Sequence, residues 1–94
     1  MIVIGLPAAL AALMQAIKYI RRYNAAAALV LLDEINQQTE MLARQPFLGR
    51  PGLLAGTRES RIGHSRYCVI YNIRRRLQRV EIRRLLHCAR GSPA

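Results

Sequence analysis

The sequence predicts an α+β fold in which an N-terminal helical hairpin packs on a small antiparallel sheet, in the order β-α-α-β-β-β. Three observations predict it. Apolar residues recur at helical spacing through residues 7–44. A Pro- and Gly-punctuated passage at 46–56 (PFLGRPGLLAG) interrupts that pattern. Beyond it the period changes to the alternation of strands. Helices followed by a run of strands define the α+β class, and 94 residues suit a single domain spanning 1–94.

The elements follow in order. Met1–Ile4 is short, apolar and β-branched, which suits a buried strand. Gly5 and Leu6 turn the chain, and Pro7 occupies the first helical position, where its missing N–H is harmless. The spacing predicts a helix over 7–22 with Leu10, Leu13, Met14, Ile17 and Ile20 on its apolar stripe. Asn24 either ends this helix or caps the next. The second helix runs from about Ala25 to Arg44. Its expected stripe is Ala28, Leu29, Leu32, Ile35, Thr39 and Leu42, with Asp33, Glu34, Gln37, Gln38 and Glu40 facing solvent. Pro46 disfavours helix at the residue before it. Thr57–Ile62 reads as a short strand, and Gly63 and His64 as a turn. Arg66–Ile73 alternates, with Tyr67, Val69, Tyr71 and Ile73 on one face. Residues 74–79 form a polar turn and Val80–Cys88 the last strand.

Charge narrows the partners. Fifteen Lys and Arg face five Asp and Glu, for a net +10. Fourteen of the cations are Arg, which holds phosphate and carboxylate through planar, paired contacts. Twelve Arg and two Glu fall within 44–90, so the basic function belongs to the second half. Such a domain should seek a polyanion, either nucleic acid or an acidic protein. Residues 1–17 are uncharged, but the basic region of a signal peptide is missing. Lys18, Arg21 and Arg22 also close the apolar run short of a membrane span. Cys68 and Cys88 lack metal-ligand spacing, and two cysteines are few for a secreted scaffold. The expectation is a cytoplasmic protein with free thiols, no membrane role, no metal and no cofactor.

Four blocks then carry a likeness. They are Met41-Leu42-Ala43-Arg44-Gln45-Pro46-Phe47-Leu48-Gly49-Arg50-Pro51, Arg58-Glu59, Tyr67-Cys68-Val69-Ile70-Tyr71, and Ile82-Arg83-Arg84-Leu85-Leu86-His87-Cys88-Ala89-Arg90. In order and spacing they resemble the RelE/ParE superfamily of bacterial toxins, most nearly the ParE branch. The chain departs from the family pattern in three places. Ala and Arg stand in the first helix where acids are usual, Cys68 where Arg is common, and Cys88 where Gly is common.

The resemblance implies the toxin of a type II toxin–antitoxin system, of the kind that serves plasmid stabilisation. The ParE branch implies inhibition of DNA gyrase by binding. The RelE branch implies a ribosome-dependent mRNA endoribonuclease. That chemistry needs cations on the scissile phosphate and an acid–base pair. His87, Arg58 and Arg66 are the residues available for it. No Tyr follows His87 and no Lys follows Lys18, which favours the binding branch. His87 also fits a structural role at a strand end. A basic nucleic-acid-binding module remains as a third reading, supported by charge. Arg58, Arg61, Arg66, Arg74, Arg75, Arg76, Arg83, Arg84 and Arg90 are the candidates for binding target or antitoxin. The resemblance further implies an antitoxin whose acidic C-terminal segment folds on the toxin in a hetero-oligomer.

Overall fold

The architecture is that of a computed structural model, which describes residues 1–88. Strand β1 (Ile2–Gly5) leads into α1 (Pro7–Tyr23) and α2 (Ala25–Arg44). Strands β2 (Arg50–Pro51), β3 (Thr57–Arg61), β4 (Tyr67–Arg74) and β5 (Arg79–His87) follow, with a 3₁₀ turn at Arg75–Leu77 between the last two. The α+β class and the element order are those the sequence predicts. The 46–56 loop adds the two-residue β2, and the sheet is mixed, in the order β1-β5-β4-β3-β2.

Strand β1 is the reason the sheet is mixed. It pairs parallel with β5, Val3 beside Val80, after the chain has passed through the whole hairpin. It lies on an edge and not in a buried centre, and Ile2 is 70% exposed. The Leu6 N–H donates to the Ile82 carbonyl at 2.9 Å, so the ladder extends into the first helical turn. Asn24 performs both roles open to it. Its N–H closes α1 on Ile20 O, and its side chain accepts from Ala27 N–H at the start of α2.

Each helix keeps part of its expected stripe on the core, Ile17 and Ile20 in α1 and Ala28, Ile35 and Leu42 in α2, and buries other residues beside it. In α1, Ala9 and Ala16 are buried while Leu10 and Met14 are exposed. Small residues on that line let the two helices and the sheet approach closely. In α2 the buried line is Ala28, Leu31, Gln38 and Leu42, with Ile35 packed alongside, and Leu29 is exposed. Gln38 belongs to this line because its amide is satisfied, donating to Ser60 Oγ at 2.9 Å and Arg61 O at 2.7 Å. The core joins Leu31 and Leu42 to Ile62, Val69, Tyr71 and Val80 from the sheet side.

A β-bulge in β5 keeps the sheet facing the helices. Ile82 lies opposite Tyr71 and Arg84 opposite Ile70, leaving Arg83 as the extra residue. The bulge shifts the alternation by one, so Val80 and Ile82 before it and Leu85 after it all join the core side. The cysteines overturn the expectation of free thiols: Cys68 and Cys88 are joined as a disulfide. Among the described residues, no helix is long and apolar enough to cross a membrane.

Candidate functional site

The Arg-rich sheet is organised by a few fixed contacts. The first is centred on Tyr71, which is fully buried. Its hydroxyl accepts from Gly49 N–H at 2.9 Å and donates to Pro46 O at 2.7 Å. Burial raises the phenol pKa, against the opposing pull of the Gly49 N–H and the Arg58 charge. A Cβ on Gly49 would lie 2.6 Å from both Glu59 O and the Tyr71 hydroxyl. The Leu48-Gly49-Arg50 passage is therefore a backbone crossing that only glycine fits.

Arg58 completes this node. It pairs with Tyr71 across the ladder, which places it on the helix side of the sheet. Its guanidinium donates to Gly49 O at 2.7 Å and to Phe47 O at 3.4 Å, and lies 5.0 Å from the Phe47 ring centroid. Arg75 approaches the same ring at 5.3 Å. Two guanidinium groups on one half-exposed ring form a cationic cleft, with Thr57, Ile73 and Pro51 on its walls. Phe47 had no signal in the sequence beyond its place in a loop.

Glu81 is the second fixed point. It is 5% exposed in the middle of the basic strand. Arg79 donates to its Oε2 through Nη2 at 2.7 Å and Nε at 2.8 Å, and Arg74 Nε lies 3.4 Å from Oε1. Arg50 pairs with Glu59 at 3.3 Å, and Arg61 Nε donates to Ser65 O at 2.8 Å. Arg66, Arg76, Arg83 and Arg84 are exposed and meet no carboxylate among the described residues. Arg90 lies outside the described residues.

His87 is exposed at the end of β5 and stacks on Tyr67, with ring centroids 4.9 Å apart. Its ladder partner is Tyr67, whereas Arg58 is opposite Tyr71. The two therefore differ by four residues along β4, about 13 Å, and stand on strands two apart. Arg66 is nearer, through the bond from Cys88 N–H to Arg66 O. It lies in the bend before β4, outside the ladder that positions His87. The structure does not bring His87, Arg58 and Arg66 together on one phosphate-sized site. His64 is an exposed turn residue, held by its backbone N–H to Glu34 Oε2 at 2.9 Å.

On the helix side of the sheet lies an apolar crevice of about 120 Å³. It opens between α1, α2 and β5, and Leu10, Leu13, Ile35, Ile82 and Leu85 line it. Exposed Met14, Leu29, Val30 and Met41 extend the apolar surface over the helices.

Comparison with known proteins places these features. The family model of the ParE toxin of the type II toxin–antitoxin system parDE matches residues 3–91. The fold is similar to a structure of the chromosomal ParDE toxin–antitoxin system from P. aeruginosa, with TM-score 0.78, 18% identity, and coverage of 93% of this chain and 95% of that one. It is also similar to a YoeB/ParE toxin from Agrobacterium tumefaciens, with TM-score 0.61, 19% identity, and coverage of 93% and 98%. No curated protein matches the chain.

Proposed function

Because the chain belongs to the ParE toxin family of type II toxin–antitoxin systems, we propose that it acts by binding DNA gyrase and is neutralised by a cognate antitoxin with an acidic segment. The observation that carries binding over catalysis is the separation of His87, Arg58 and Arg66. A ribonuclease needs its acid–base group and its cations on one scissile phosphate. Here Arg58 is committed to the Gly49 and Phe47 carbonyls, two strands away from His87 and four residues further along β4.

Two surfaces support an antitoxin of that chemistry. The crevice between the helices and β5 offers apolar burial to a folding segment. The exposed cations Arg66, Arg75, Arg76, Arg83 and Arg84 offer charge complementarity to its acidic side chains. We assign target and antitoxin contacts to this basic set, and we place the protein in the cytoplasm as a single domain.

The test is a pair of assays with the full chain. Gyrase-driven supercoiling should be inhibited by the toxin and restored by a small acidic protein encoded beside it. Ribosome-bound mRNA should remain intact in the same preparation. Cleavage of mRNA with supercoiling unaffected would overturn the proposal in favour of the ribonuclease branch.

A further inference from the structure

The two cysteines meet at the open end of β5. Cys68 is opposite Leu86, and Cys88 lies two residues beyond on the same side. Opposed residues share a face and so do residues two apart, so both thiol positions point away from the helices. Diagonal neighbours of this kind usually stand about 7–8 Å apart. Here the Cα atoms are 5.1 Å apart, within the range a disulfide needs. The approach is aided by Cys88 N–H, which donates to Arg66 O at 2.7 Å and carries the ladder past the last strand residue. On the other face His87 packs against Tyr67. Beyond the β4–β5 ladder, the end of β5 is thus held by one ring stack, one further backbone bond and one sulfur bridge.

The surroundings favour exchange at that bridge. Both cysteines are partly exposed, so small molecules can reach them. Arg61 is opposite Cys68, Arg66 is backbone-bonded to Cys88, and Arg84 lies on the same face of β5. Glu59 and Glu81, the acids on that face among the described residues, are engaged by Arg50 and by Arg74 and Arg79. A positive neighbourhood stabilises thiolate, which is the form that attacks and leaves in disulfide exchange.

We propose that Cys68 and Cys88 form a reversible thiol–disulfide site, oxidised by a low-molecular-weight disulfide, whose state sets how firmly the end of β5 is held to β4. The exchange runs in two steps. One cysteine thiolate attacks a sulfur of glutathione disulfide, forming a mixed disulfide and releasing one glutathione thiolate, which takes up a proton. The second cysteine thiolate attacks the protein sulfur of the mixed disulfide and releases the second glutathione. Two protein thiols are oxidised and one glutathione disulfide is reduced to two thiols. Reduction by the reverse path leaves the Cys88 end with the backbone bond and the ring stack alone.

The inference does not depend on the target of the toxin, and the wild-type full chain tests it. The chain is equilibrated in glutathione buffers of graded thiol-to-disulfide ratio, quenched with an alkylating reagent and weighed. The expected result is a single transition between two alkylated thiols and none, in the monomer. Amide exchange of Leu86–Cys88 should quicken at least about tenfold on reduction, while Val80–Ile82 stays unchanged. Two alkylated thiols at every ratio, disulfide-linked dimers, or equal exchange in both states would overturn it. The Cys68→Ser, Cys88→Ser double variant should exchange like reduced wild type at every ratio, and a redox response surviving in it would also overturn the proposal.

Discussion

The Tyr71 hydroxyl serves two backbone groups in a place closed to water, Gly49 N–H and Pro46 O. Tyr71→Phe keeps the ring and leaves both groups unpaired, so we expect a loss of about 1–3 kcal/mol in urea denaturation. The same hydroxyl gives a pH signature. Burial raises its native pKa above the ordinary phenol value of 10.0, so the native state retains the proton longer than the unfolded chain does. Its contribution is therefore complete below that value and falls as pH climbs from there toward the raised native pKa. Stability measured at about pH 9 and about pH 11 should fall more for wild type than for Tyr71→Phe, because the variant lacks this group while keeping the other tyrosines. Glu81 poses the opposite problem, a buried acid holding Arg74 and Arg79. Glu81→Gln retains the shape and removes the charge. We expect a loss of roughly 1–3 kcal/mol, at the low end because both guanidinium groups reach solvent. An unchanged denaturation midpoint would mean that water replaces the carboxylate at no cost.

Strand β3 is tied to α2 from above by Gln38, which bonds Ser60 Oγ and Arg61 O. Gln38→Ala should lower stability by about 1–3 kcal/mol and raise amide exchange in Ser60–Ile62 before β4 is affected. Uniform exchange along the sheet would show instead that β3 is held through β4 alone. Gln38 also marks where the sequence misleads. An amide reads as solvent-facing, and its burial becomes intelligible only when the strand that satisfies it is in place. The helix boundaries were legible because Pro7, Asn24 and Pro46 act through local backbone chemistry. The small residues that join the buried lines were not, since alanines bury readily wherever neighbouring elements come close, and no spacing rule ranks Ala9 above Leu10. Four apolar residues at the start specify a strand without naming its partner, so the parallel pairing of β1 with β5 depends on tertiary packing. The β5 bulge was hidden in Arg83-Arg84, two like residues that mask a change of phase. The candidate site was legible as a basic stretch. Which cations are committed was not, because Arg58 is held by loop carbonyls that only the fold brings to it, and Arg79 by a neighbouring carboxylate that only the fold buries.

Net charge of +10 on 94 residues makes the surrounding field the dominant feature of any encounter. Four arginines pair with acids and two more hold carbonyls, so the field that a partner meets comes chiefly from the remainder. On the sheet and its turns these are Arg66, Arg75, Arg76, Arg83 and Arg84, all exposed. If an acidic partner binds there, its arrival should be steered, and steering is screened within about 8–10 Å at ordinary ionic strength. The apolar crevice adds a contact of short range, which salt does not weaken. The two contributions therefore separate in kinetics. Reversing Arg75 and Arg76 with Glu, or Arg83 and Arg84 likewise, should slow association with the antitoxin by about tenfold or more at low salt and flatten its salt dependence. Dissociation should change less, because a segment bound in the crevice would be untouched. Filling the crevice with Leu13→Phe should do the reverse, quickening dissociation while the association rate and its salt slope stay near wild type. Stopped-flow mixing across a salt series reads both rates. If the charge reversals instead altered dissociation alone, the arginines would be close contacts in a closed interface and the steering argument would fail.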